Sequence, residues 1–151
     1  MEALLFTANG GRFLTRLTAL DEILMPARLS RLPGAPDFIA GLLNLRGEAL
    51  PVLTLTERLG GTRPSDWRHG NRILCFTAAG HPLGLIVDAV TGISTLGDEQ
   101  RRPPILSERA ARGCTDLWLI DGDMTPEICL QDLRSPAELG LLRDLAPGTA
   151  T

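Results

Sequence analysis

There is no tyrosine in these 151 residues, and two Trp and four Phe bring the aromatic content to only 4%. The net charge is −3, from 15 basic and 18 acidic residues. A nucleic-acid surface needs a basic face and rings on which bases stack, so both shortages argue against one. No run of about 18 apolar residues offers a membrane span. The N-terminus, MEALLFTANGG, has neither the basic stretch nor the longer apolar core of a signal peptide, so the protein is expected to stay in the cytoplasm. Three cysteines, Cys75, Cys114 and Cys129, lie far apart and are odd in number, which suits reduced thiols and not a disulfide framework. His69 and His81 fall in expected turns with no ligand at CxxC, HxxxH or HExxH spacing, and no metal or other cofactor is expected. Without a Gly-rich loop carrying Lys, or a G-x-S-x-G elbow, the chain reads as no enzyme.

What the chain does have is enough apolar material, 44% of its residues, to bury a core without staples. The organising stretch is Gly41 to Leu55, GLLNLRGEALPVLTL. Leu43 and Leu45 alternate with Asn44 and Arg46, Gly47 takes a turn, and Ala49 to Leu55 returns rich in Leu and Val, which is a hairpin with Arg46 held out at its corner. Pro51 has no N–H for a ladder, so the returning strand is expected at an edge or bulged.

Before it, Met1–Thr7 and Phe13–Leu17 read as a hairpin around Asn9-Gly10-Gly11, and Leu20–Met25 as a strand or helical turn. Pro36 is placed to open a short helix that carries Phe38 and Ile39 inward. After it come a helical turn at Thr56–Gly60, a polar loop over Gly60–Gly70, a strand at Asn71–Ala78 and an apolar run, Leu83–Ile93, broken by Asp88 and Gly92. Gly97–Pro104 reads as a solvated loop, Ile105–Arg112 as a helix, and Asp116–Leu130 as a hairpin turning at Gly122. Ser135-Pro136 then starts a terminal helix over 136–145.

The chain repeats itself. LLFTANG, Leu4–Gly10, recurs as LCFTAAG, Leu74–Gly80, and NLRGEALPVLTL, Asn44–Leu55, lies over LIDGDMTPEICL, Leu119–Leu130. The second match aligns Gly47 with Gly122 and Pro51 with Pro126, at an offset of 75 residues against 70 for the first. Units of this size are marginal alone, so two small antiparallel β-barrels packed on shared apolar surface are expected.

In order, the segments Phe13–Ile23, Leu32–Gly41 (LPGAPDFIAG), Asn44-Leu45-Arg46-Gly47, Leu50–Leu53 and Gly84–Val90 resemble the CheW-like domain, the adaptor that joins bacterial chemoreceptors to the histidine kinase CheA. The match is weaker beyond Ile93. The resemblance implies two five-stranded, SH3-like barrels in a single domain spanning 1–151. The first would lie mainly in 12–75 and the second mainly in 76–130, with the chain exchanged at the ends. Two departures are Thr54, where the family often has Asp, and a polar first hairpin at Thr15 and Arg16. They leave open a relative serving a pilus-motility or other non-flagellar array.

The resemblance also implies the partners, a chemoreceptor tip and a CheA-type kinase, with Arg46 in the receptor-binding surface. Asn44, Gly47 and Glu48 would shape or flank that corner. Phe38, Ile39, Val87 and Val90 would line apolar ground near the barrel junction, where a receptor helix could dock. Structural alternatives stand beside these readings: Arg46 could brace its own hairpin against Glu48, and the four apolar residues could be plain core. A competing class is a small double-barrel enzyme or ligand-binding protein with a concave site of convergent polar groups between the barrels.

Overall fold

The computed structural model describes residues 1–25, 27–36, 38–55, 70–103 and 114–133, the side chains at 114 and 115 excepted. The expected helices over Thr56–Gly60, Ile105–Arg112 and 136–145, and the loop at 60–69, lie outside the described residues.

Four hairpins organise the chain. They are β1 (Glu2–Ala8) with β2 (Gly11–Arg16), β4 (Ile39–Leu45) with β5 (Glu48–Leu53), β6 (Arg72–Ala78) with β7 (His81–Val87), and β10 (Cys114–Ile120) with β11 (Asp123–Ile128). Each turns on a two-residue loop, Asn9-Gly10, Arg46-Gly47, Ala79-Gly80 or Asp121-Gly122. In all four the first residue has φ of 50 to 56° and the glycine 80 to 87°. Two successive positive φ values match the right-handed twist of the flanking strands, which is why glycine recurs at the second place. Three further strands complete the set: β3 (Glu22–Leu24), β8 (Ala89–Thr95) and β9 (Arg101–Arg102).

The strands form two sheets, ordered β8-β1-β2-β11-β10-β9 and β3-β6-β7-β5-β4. Laid side by side, these orders reveal the repeat. β1-β2 corresponds to β6-β7 and β10-β11 to β4-β5, with matching registers: Leu4↔Thr15 against Leu74↔Leu85, and Trp118↔Thr125 against Leu43↔Leu50. The parallel contacts also correspond, Leu14↔Glu127 in one sheet and Gly84↔Val52 in the other. Each sheet therefore takes one hairpin from one repeat and its remaining strands from the other. The chain changes sheets at Asp88, between β7 and β8, where the Asp88 N–H donates to Thr7 O at 2.8 Å. The apolar run Leu83–Ile93 is thus two strands in different sheets.

The expected pair of closed, five-stranded antiparallel barrels is corrected in three respects. One sheet has six strands and the other five, both are mixed, and neither ladder closes. The hairpins of different repeats meet only through parallel contacts of one or two residues before diverging, too short to carry a ladder around a barrel. In the five-stranded sheet the edges β3 and β4 still approach each other, and an isolated bridge, Ser30↔Leu42, spans part of the gap.

Apolar side chains segregate into three clusters. Leu4, Phe6 and Phe13 from one sheet meet Leu74, Phe76, Leu83, Leu85 and Val87 from the other in a shared core, with Phe38, Ile39, Leu130 and Leu133 added. Each sheet also curls around a cluster of its own. Leu43, Leu50, Val52, Ile73 and Cys75 fill the five-stranded sheet; Ala3, Leu14, Leu96, Trp118 and Ile120 fill the six-stranded one. Alternation along each strand supplies both faces.

Local expectations fare unevenly. β5 is an inner strand between β7 and β4, and not an edge. Pro51 is accommodated because β7 pairs only with Val52 and Leu53, so the missing N–H falls just before the parallel contact begins. Among the described residues no helix follows Pro36: the Ile39 N–H bonds back to Pro36 O at 3.0 Å, and β4 begins at Ile39. Leu20–Met25 is approached by a 3-10 turn at Leu17–Ala19 and contains β3. The expected loop after Gly97 carries a 3-10 turn, Asp98–Gln100, and β9.

Candidate functional site

Arg46 is held in the left-handed region, φ 53°, by the turn it occupies. Asn44 Oδ1 accepts the Gly47 N–H at 2.9 Å, which braces the corner, and exposed Glu48 begins the returning strand. The guanidinium does not pair with Glu48. Its Nη1 and Nη2 donate to Glu22 Oε1 and Oε2 at 3.1 and 3.0 Å, a two-pronged contact that fixes the plane of the group. Glu22 lies on β3 and Arg46 follows β4, so the pair spans the two open edges of the five-stranded sheet. The hydrogen bond and charge of Glu22 push the Arg46 pKa still higher. Even so paired, the Arg46 side chain is 71% exposed. A fixed, permanently charged fork on a rigid corner suits directional pairing with an acidic or carbonyl group.

The apolar residues expected near the barrel junction are mostly core. Phe38, Ile39 and Val87 are buried in the shared core at the junction of the sheets, and Val90 is half-buried against it. They set the geometry of the junction; only Val90 contributes to its surface.

Cys75 and His81 are not brought together as a nucleophile and a base. Cys75 faces the interior cluster of the five-stranded sheet, whereas Ala78, the register partner of His81, faces the shared core on the opposite side. Burial, aided by the charges of Glu22 and Asp21, pushes the Cys75 thiol up to about 11, so it remains a protonated core residue. Cys129 is half-buried, and its thiol is also shifted upward by burial.

One polar network was not legible in the sequence. Glu127, on β11, is buried in the six-stranded sheet and accepts two hydrogen bonds, from Trp118 Nε1 at 2.8 Å and from Arg16 Nε at 2.9 Å. Arg101 donates from Nη2 to Asp116 Oδ2 at 2.7 Å, and its guanidinium lies 5.9 Å from the Trp118 ring centre. The available signals were a polar Thr15-Arg16 in an otherwise apolar hairpin and a tryptophan whose N–H needs an acceptor when buried.

The CheW-like domain family matches residues 2–133. A probable chemotaxis protein CheW of Rhizobium etli is 31% identical over 136 residues, covering 89% of this chain and 85% of that protein. Protein PilI of Pseudomonas aeruginosa is 36% identical over 88 residues, covering 58% of this chain and 49% of PilI. The crystal structure of the scaffolding protein TtCheW from Thermoanaerobacter tengcongensis superposes with a TM-score of 0.77 at 25% identity, covering 87% of this chain and 90% of that one. With the duplicated, mixed two-sheet fold and the NLRG corner on the same chain, the protein belongs to the CheW-like domain family.

Proposed function

We propose that this protein is a non-enzymatic adaptor of bacterial chemotaxis or motility signalling, acting in the cytoplasm to couple a chemoreceptor to a CheA-type histidine kinase. Family membership supports the adaptor role, and one observation carries the site: Arg46 is immobilised by Glu22 and still open to a partner. The receptor tip engages the corner of Asn44, Arg46, Gly47 and Glu48 beside the junction built on Phe38, Ile39, Val87 and Val90. The kinase's homologous regulatory domain docks on another face. Modest interfaces suffice for transient signalling contacts.

The test is Arg46→Ala, titrated against a receptor cytoplasmic fragment and, separately, against the kinase regulatory domain. Arginine is enriched among interface hot spots, so receptor affinity should fall about ten- to a hundredfold while kinase affinity and the melting transition stay unchanged. Unchanged receptor affinity in a folded variant removes Arg46 from the site.

The similarity to PilI supports a second reading, in which the array served controls pilus motility. Deleting the gene separates the two: loss of directed swimming marks a flagellar array, loss of surface motility a pilus one.

A further inference from the structure

Three polar side chains buried in the six-stranded sheet, Thr15, Thr125 and Glu127, correspond through the repeat to Leu85, Leu50 and Val52, all buried and apolar. The same fold position is therefore filled with hydrocarbon in the sister sheet. Replacing a buried ion pair by well-packed apolar side chains is often neutral or stabilising, so packing gives no reason to keep a carboxylate here. The arrangement orients donors instead. Both oxygens of Glu127 are engaged, its side chain is 5% exposed, and it holds Arg16 by Nε alone, leaving both Nη groups without a partner among the described residues. Asp116, 14% exposed, holds Arg101 by one Nη in the same manner. The Arg16 and Arg101 side chains are 45% and 48% exposed.

These four side chains line one cleft of about 500 Å³, opened where β2 and β11 diverge after the Leu14↔Glu127 contact. Ile128 adds an apolar wall, and fully buried Thr15 closes the cleft beside Arg16. The volume lies in the range of small-ligand sites. Both oxygens of Glu127 and Oδ2 of Asp116 are in use, and the exposed charge in the cleft is guanidinium, so the cleft favours an acceptor over a cation. Among the described lining residues the formal charge is balanced, which disfavours a multiply charged phosphate and suits a single carboxylate on a planar fork.

We propose that this cleft binds a carboxylate carried on a short apolar stem, with Arg16 and Arg101 as the recognition groups and Ile128 against the stem. The site is separate from the Arg46 corner and lies in the other sheet. Two sources share this chemistry: a free small acid and a glutamate side chain of a partner.

The test follows the indole N–H resonance of Trp118, assigned by Trp118→Phe, as the full-length protein is titrated with butyrate, its neutral isostere butyramide, inorganic phosphate and a glutamate residue blocked at both ends. A saturable shift with butyrate below about 10 mM, absent with butyramide and weak with phosphate, is expected. Arg101→Gln, at the exposed rim, should weaken it at least tenfold with the melting transition unmoved, and Arg16→Lys should weaken it while retaining charge. Tighter binding of butyrate than of the blocked glutamate assigns a free acid; the reverse assigns a partner's side chain. No saturable shift, an equal response to butyramide or phosphate, or unchanged affinity in Arg101→Gln overturns the proposal.

Discussion

Where the five-stranded sheet buries Val52 in one cluster with Leu43, the six-stranded sheet buries Glu127 against the indole of Trp118. A second exchange accompanies it. Ile73 and Gly84 in one sheet correspond to Ala3 and Leu14 in the other, and a Cβ placed on Gly84 would lie 2.8 Å from Ile73 Cγ2. Large beside small in one sheet has become small beside large in its sister. Register, turns and strand order are shared, so the backbone plan tolerates different fillings provided that volume is conserved and every buried polar group is paired. The five-stranded sheet spends its interior on packing and carries its exposed charge at the Arg46 corner; the six-stranded sheet carries charge inside.

The harshest way to break the correspondence is to cut the chain within residues 60–69. Each sheet needs strands from both repeats, so neither half retains a complete sheet, and neither should show a cooperative melt by circular dichroism. A sharp transition in the isolated N-terminal half would show that a repeat, and not a sheet, is the folding unit.

Val52→Glu copies the six-stranded sheet's charge into the five-stranded one without its partners: Trp118 and Arg16 correspond to Leu43 and Ile86. An uncompensated buried carboxylate should cost about 3–5 kcal/mol in denaturant unfolding. A loss below about 1 kcal/mol would mean that the site admits water, because an exposed substitution costs little.

Glu127→Val, the reverse copy, should cost less, about 1–3 kcal/mol, because it strands the buried Trp118 N–H. Adding Trp118→Leu removes that donor and, although it leaves unfilled volume, should make the double variant more stable than the two single losses summed. Strict additivity would show that the hydrogen bond contributes nothing.

Much of this organisation was legible in advance. The Gly-turn hairpins, the repeat of Phe-Thr-Ala and of the Pro-bearing strands, and the exposure of Arg46 are all local features, written in alternation and in glycines at positions that demand positive φ. The division of strands between sheets was not, because it rests on parallel contacts of one or two residues between segments far apart in sequence. Neither was the inner position of Pro51, which depends on where a neighbouring strand begins to pair.

The partners of the charged groups mark the same limit. Arg46 sits 24 residues from Glu22, and Arg16 sits 111 residues from Glu127. No periodicity relates such pairs. Composition, turn chemistry and strand alternation determined, from the sequence by itself, a β-rich duplicated chain with an arginine on an exposed corner. Only the tertiary structure decided that this arginine is clamped across two sheet edges, that Phe38, Ile39 and Val87 are core, and that one sheet encloses a charge. Burial and pairing are properties of the surroundings, and the surroundings come from strands that meet only when the chain has folded.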